Sequence, residues 1–125
     1  MANVYIVGAH DSKFISSIES SGHYVTQHGT ARTESAHDAA SLAFANIHGI
    51  IVSDVVVVVE PLDPTVMGAA LALRESDHRP IQLWIVHSDG NPHEATDTPV
   101  TGAYACIADR FFKTTDEALA AINDL

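Results

Sequence analysis

The sequence predicts one α/β domain, over residues 1–125, in which a parallel β-sheet carries helices on both faces. Short apolar, β-branched runs alternate along the chain with stretches of helical periodicity, and this alternation is typical of a parallel sheet. One run contains five consecutive valines, Val55–Val59. A strand that is apolar on both faces belongs at the centre of such a sheet.

Five runs have the length and composition of strands, and each is bounded by polar or glycine-containing segments. In chain order they are Val4–Val7, His23–Gln27, Ile50–Val59, Ile81–Val86 and Ile107–Phe112. Right-handed crossovers between these strands favour the order 2-1-3-4-5. The expected fold is therefore a flavodoxin-like three-layer sandwich.

The first two helices are predicted from apolar spacing. Phe14, Ile15 and Ile18 recur at helical intervals before Gly22, which ends the first helix. The second helix, Glu34–His48, ends at Gly49. Its apolar residues form one stripe, which consists of Ala36, Ala39, Ala40, Ala43, Phe44 and Ile47.

Capping residues mark the later helices. Asp63 is a candidate N-cap with Pro64 at the first helical position, and this helix runs to about Ser76. A short helix is expected before the last strand, and residues 88–99 are expected to form a long loop. The run Thr114–Glu117 has the pattern of a capping box and opens the last helix, whose buried face is Ala118, Leu119 and Ile122.

Composition excludes several classes of protein. The formal net charge is −10, from 16 acidic and 6 basic residues, and so acidic a surface repels nucleic-acid phosphates. Such a charge suits a solubilising surface, a contact face for a basic partner or a DNA mimic. The eight histidines lack metal-site spacing on one helix, so we expect neither a metal nor a cofactor.

The remaining composition points to a reducing compartment. Cys106 is the single cysteine, so no internal disulfide can form. No apolar run approaches the roughly 18 residues of a membrane helix, and the N-terminus reads as a strand rather than a signal peptide. We therefore expect a cytoplasmic protein without membrane contact.

In a parallel sheet of this order, ligands bind beyond the carboxyl ends of the strands. Three loops at that edge supply the candidate ligand-binding residues, which are Gly8, His10, Asp11, Glu60, Asp63, His87 and Ser88. Glu60 and Asp63 are weak catalytic candidates, as an acid/base pair or as oxygen ligands. Phosphate-binding glycine motifs and an activated nucleophile are missing, so the residues favour a binding module over an enzyme.

Several short motifs resemble the receiver domains of bacterial response regulators, and the resemblance covers nearly the whole chain. Glu60, Pro64 and Gly68 keep the spacing of the family's phosphoacceptor aspartate and the proline and glycine after it. The other matching segments are Gly22-His23-Tyr24-Val25, Leu73-Arg74-Glu75, Arg79-Pro80-Ile81 and the run from Gly102 to Phe111. The resemblance implies a signalling or protein-interaction domain, with a protein partner or a homodimer.

The departures from the family imply a pseudo-receiver without phosphoryl transfer. The family's acidic, Mg²⁺-binding pair falls at Gly8-Ala9, and Glu60 replaces the acceptor aspartate. The family's phosphoryl-contacting lysine falls at Asp109. The register places Ile85 at the position of its switch serine or threonine, with Ser88 nearby.

A second family remains open as an alternative. Val4-Tyr5-Ile6-Val7-Gly8 and Ser53-Asp54 before the valines resemble strands of nucleoside 2-deoxyribosyltransferases, but that family's nucleophilic glutamate falls at Gly68 or Ala70. This resemblance implies a nucleoside-binding domain related to N-glycosidases, which is active only if Glu60 or Asp63 serves as the nucleophile. It predicts a deep pocket between strands 1, 3 and 4 near Tyr5 and Asp54, whereas the receiver resemblance predicts a shallow polar edge and an exposed apolar patch.

Overall fold

The computed structural model describes residues 2–8, 12–27, 47–60, 62, 64–77, 80–88 and 108–125. In these ranges five strands form one parallel sheet in the order 2-1-3-4-5, which confirms the predicted flavodoxin-like fold. The strands are β1 (Asn3–Val7), β2 (Tyr24–Gln27), β3 (Val55–Val59), β4 (Gln82–Val86) and β5 (Arg110–Phe112).

Four helical segments fall within the same ranges. They are α1 (Ser12–Ser20), the end of a helix α2 (residues 47–51), α3 (Pro64–Asp77) and α4 (Thr115–Asn123). None of the helices in the described ranges has the length and apolar character needed to cross a membrane.

The core consists of one apolar cluster on each face of the sheet, because successive strand residues point to opposite sides. On one face α1 and α4 pack against Val4, Ile6, Val57 and Trp84. On the other face α2 and α3 pack against Tyr5, Val7, Val58 and Ile85. All five valines of β3 are buried, as expected for a central strand.

The junction of α2 and β3 differs from the prediction. Gly49 does not end the helix and Ile50 does not begin the strand, because residues 47–51 are helical and β3 begins at Val55. A Cβ at Gly49 would lie 2.6 Å from Cε2 of Tyr5. Gly49 therefore allows the helix to approach a buried aromatic ring. The helix ends at Ile51, and two residues later the Ser53 hydroxyl donates to the Gly49 carbonyl at 2.5 Å.

The predicted apolar stripe of α2 is also wrong at Ile47. This side chain is exposed, and Ile50 is fully buried. Since the helix continues past Gly49, the buried face at its end passes through Ile50 instead. The earlier part of the predicted helix, up to residue 46, lies outside the described residues.

The other element boundaries agree within a few residues. The β2 strand begins one residue late because His23 turns inward, where its Nδ1 accepts a hydrogen bond from the Ala2 amide at 3.0 Å. The β5 strand begins at Arg110 rather than Ile107. Gly22 has a φ of 93° directly after α1, which confirms the predicted helix end. Most of the predicted 88–99 loop and the short helix before β5 lie outside the described ranges.

The capping box before α4 is confirmed in modified form. The Thr114 side chain accepts from the Glu117 amide at 3.2 Å. The Glu117 carboxylate accepts from the Lys113 amide at 3.1 Å, one residue before the amide that the standard motif uses. The cap therefore also holds the connection from β5 into α4.

Candidate functional site

The carboxyl ends of β3, β4 and β5 form one continuous row. The Glu60 amide donates to the Val86 carbonyl at 3.0 Å, and the His87 amide donates to the Phe112 carbonyl at 2.8 Å. Val59 pairs with Val86, and Val86 pairs with Phe112. Glu60, His87 and Lys113 are therefore the next residues in register along this edge.

Glu60, His87 and Ser88, here called the Glu60 cluster, are in mutual contact. The Ser88 amide donates to Oε1 of Glu60 at 3.2 Å, and the Ser88 hydroxyl donates to Oε2 at 3.2 Å. Nε2 of His87 lies 3.4 Å from the same Oε2. The structure therefore brings together predicted residues from two of the three candidate loops.

The Glu60 carboxylate is held by the protein yet remains accessible. Its side chain is 42% exposed and that of His87 is 17% exposed. Because Ser88 donates to both carboxylate oxygens, the carboxylate has a defined orientation and links the end of β3 to the segment after β4. In this arrangement Glu60 serves as a hydrogen-bond acceptor and a fixed negative charge at the sheet edge.

Gly8, the predicted residue after β1, lies against the end of β3. Its φ is 104°, and a Cβ there would lie only 1.9 Å from the Val59 carbonyl oxygen. No other residue type fits, so the position cannot supply the carboxylate that the receiver resemblance requires for Mg²⁺. Of the two positions that the family uses for its acidic pair, Gly8, the one that the structure describes, therefore does not fit that metal site.

Three of the predicted site residues, His10, Asp11 and Asp63, lie outside the described residues, and their roles stay predictions. In the ranges that the structure covers, no three histidine, cysteine or acidic side chains are grouped to hold a metal ion. A cleft between α1 and α4 is lined by other residues, which are Lys13, Phe14, Ser17, Thr115, Asp116 and Leu119.

Lys113 is the residue at this edge that sequence reasoning missed. It directly follows β5 and is exposed. Asp109, which was aligned with the family's lysine, lies before β5 at the opposite edge and accepts from Arg74 at 2.6 Å and from the Leu83 amide at 2.7 Å. The signal was a lysine immediately after the last predicted strand.

The two residues expected near a nucleoside pocket do not reach the carboxyl edge. The Tyr5 ring is buried against Gly49 under α2. Asp54 precedes β3, where its Oδ2 accepts from the Asn3 amide at 2.8 Å. Both side chains thus have contacts outside the Glu60 cluster, and the pocket that the alternative places near them stays a prediction.

Comparison with known proteins shows the fold alone. No family model matches the sequence, and neither does any curated protein. A conserved protein from Enterococcus faecalis V583 superposes with a TM-score of 0.64 at 13% identity, over 99% of this chain and 98% of that one. A candidate pilus assembly protein (cpaE) from Burkholderia thailandensis E264 gives 0.53 at 16% identity, over the full length of both chains.

Another similar fold belongs to an enzyme. The CMP N-glycosidase BcmB of Clostridium botulinum has a TM-score of 0.50 at 14% identity, and the match covers 96% of this chain and 97% of that one. At such identities the likeness defines a fold class, a flavodoxin-like α/β domain. Function has to be argued from the site.

Proposed function

We propose that this chain is a receiver-like signalling or protein-interaction domain that works without phosphorylation. The observation that carries the proposal is the contact between Glu60 and Ser88. In the receiver family that the sequence resembles, a phosphorylated aspartate acts on a serine or threonine at the end of strand 4, where the register places Ile85 in this chain, with Ser88 nearby. Here a glutamate at the acceptor spacing already accepts two hydrogen bonds from Ser88.

The length of the side chain explains why no phosphoryl group is needed. Glutamate extends its carboxylate one methylene further than aspartate, and it is a poor phosphoryl acceptor. The carboxylate therefore takes the place of a phosphoryl group at this edge. Lys113, one residue past β5 and in register with His87, supplies a positive charge on the far side of the cluster. The carboxyl edge of the sheet then keeps one conformation and charge, and a partner protein binds it in that form.

Two further observations support a binding role. Large apolar side chains of Tyr24 and the end of α2 are exposed, as an interaction module requires. One of the similar folds, the protein from Burkholderia thailandensis, is a candidate pilus assembly protein.

The test compares Glu60→Gln with a matched control, Asp116→Asn, an exposed acid on α4 at the same edge but outside the Glu60 cluster. Both variants and the wild type are used to capture proteins from a lysate of the source organism, followed by quantitative mass spectrometry. We expect one set of proteins to be captured in equal amounts by the wild type and by Asp116→Asn. Glu60→Gln should capture about tenfold less of these proteins, the effect of removing a key interface group. Identical protein sets for all three would contradict the proposal.

A second candidate, a nucleoside N-glycosidase-like domain, is favoured by the likeness to the CMP N-glycosidase and by the exposed Glu60 carboxylate. Incubation with CMP and a panel of nucleosides, followed by chromatography for the free base, tests it. We expect no release of base. Release that Glu60→Gln abolishes and Asp116→Asn retains would replace the interaction proposal with this one.

A further inference from the structure

Four large apolar side chains are exposed near the amino ends of the strands. Tyr24 is 65% exposed, Ile47 40%, Ile51 38% and Val52 41%. Among the large apolar residues in the described part of the chain, Leu125 at the end of the chain is the other one so exposed. The clustering of four in one region, here called the α2–β2 surface, points to a binding role.

The backbone geometry makes this surface continuous. Tyr24 pairs with Asn3 in the sheet, and Val25 packs on the α1–α4 face, so Tyr24 faces the α2 side. Asn3 in turn exchanges hydrogen bonds with Asp54, two residues after Val52. Tyr24 is therefore about two strand spacings, roughly 10 Å, from the end of α2.

The rim of this surface is acidic. Asp54 borders it directly, and Glu75 lies near the end of α3 on the same face; both are exposed. Of the two arginines on described elements, Arg74 is bonded to Asp109 at 2.6 Å. Arg110 stacks over Trp84 at 5.1 Å on the opposite face of the sheet, in the strand farthest from β2. The whole chain, including these residues, carries a formal net charge of −10.

We infer that the α2–β2 surface binds a short, basic amphipathic helix of a partner protein. Apolar anchors of such a helix, spaced over two turns, match a patch of about four side chains, and its lysines or arginines face the acidic rim. A second copy of this chain would bring acidic rims together, which is unfavourable. The inference rests on the proposed function, because it names the partner chemistry of an interaction domain.

The probe is a synthetic amphipathic helix of leucine and lysine with a fluorescent label, titrated with the full chain and followed by anisotropy. We expect Ile51→Ser to weaken binding about tenfold, the loss typical of a truncated apolar anchor. Leu125→Ser changes a more exposed residue outside the surface and should leave binding unchanged. Added salt should weaken binding, and a leucine–glutamate helix should not bind.

Equal effects of Ile51→Ser and Leu125→Ser would overturn the inference, as would equal binding of the glutamate peptide. Sedimentation showing a dimer that Ile51→Ser dissociates would assign the surface to a second copy and overturn it as well. Melting curves verify that both variants fold, as expected for exposed substitutions.

The two proposals fail separately. Glu60→Gln lies at the opposite edge and should bind the peptide like the wild type. If the wild type does not bind the peptide, but Glu60→Gln still reduces the proteins captured from the lysate, this inference alone is refuted. If the peptide binds and Ile51→Ser weakens that binding, but Glu60→Gln does not change the proteins captured from the lysate, only the proposed function is refuted.

Discussion

Replacing Gly49 with alanine should destabilise the protein, although the same change stabilises most helices. In an ordinary helix interior, alanine is about 1 kcal/mol more favourable than glycine. At this position the new Cβ would lie 2.6 Å from Cε2 and 2.9 Å from Cδ2 of Tyr5. Carbon atoms prefer separations of about 3.5–4.0 Å, so one of the two elements must move.

The structure indicates which effect dominates. The Tyr5 ring is 1% exposed and packs within the cluster under α2 and α3, so it has little room to shift. Overpacking of a well-filled core costs about 1–3 kcal/mol, and an overlap near 1 Å favours the upper end of that range. After the helix-propensity gain, we expect Gly49→Ala to lower the free energy of unfolding by about 2 kcal/mol.

Urea denaturation of four proteins tests this estimate as a double-mutant cycle: the wild type, Gly49→Ala, Tyr5→Leu and the double variant. Leucine removes the ring atoms that the new Cβ would meet. In the Tyr5→Leu background, Gly49→Ala should therefore be neutral or stabilising, with a coupling energy of about 2–3 kcal/mol. A stabilising Gly49→Ala in the wild-type background, or a coupling energy near zero, would refute the reasoning.

Three further predictions concern stability and are checked by the same denaturation measurement. Gly8→Ala and Gly22→Ala both place alanine at a positive φ. A Cβ at Gly8 would lie 1.9 Å from a carbonyl oxygen, whereas a Cβ at Gly22 would have nothing within 4 Å. Gly22→Ala should therefore cost about 1–2 kcal/mol and Gly8→Ala clearly more, and equal losses would contradict the close approach at Gly8. Asp109→Ala should cost about 1–3 kcal/mol because it leaves a β4 amide without its acceptor, and Arg74→Ala should cost less; the reverse order would be evidence against this role of Asp109. Thr114→Ala should cost about 1 kcal/mol through loss of the α4 cap, with Thr114→Ser retaining most of the stability; a full loss in the serine variant would argue against capping.

The fold could be predicted because its signals are local and repeated. Five valines in a row specify a strand buried on both faces wherever the rest of the chain lies. Glycine after α1 and the Thr114–Glu117 pattern mark helix ends through hydrogen bonds within a few residues. Once the elements alternate, crossover handedness leaves few sheet orders, and the observed one is the expected one.

The errors have a non-local cause. Glycine commonly follows a helix end, so the local sequence predicts an end at Gly49. The glycine is instead required by the Tyr5 ring, a residue remote in sequence. Ile50 and Ile51 belong to the helix although their β-branched side chains favour strands. Packing against β1 decides between these states, and a local pattern carries no information about it.

The same limit applies to the candidate site, where strand ends decide which residues share an edge. Glu60 and His87 were predictable, since each follows a long apolar run. Asp109 and Lys113 are four positions apart on either side of the three-residue β5, so they lie at opposite edges of the sheet. The predicted strand began at Ile107 and therefore placed Asp109 inside it.

That boundary also decides the charge of each edge and hence its chemistry. With β5 at Arg110–Phe112, the carboxyl edge combines Glu60 with Lys113, and the amino edge combines Asp54 and Glu75 with exposed apolar side chains. The first edge holds the Glu60 carboxylate, which Ser88 orients, two strands away from Lys113, and the second places exposed acidic side chains beside exposed apolar ones. A charge change at Lys113 should therefore alter what depends on Glu60 and leave the α2–β2 surface unaffected. If Lys113→Glu, measured in the leucine–lysine peptide titration, changed the affinity as strongly as Ile51→Ser, the two edges would not be independent.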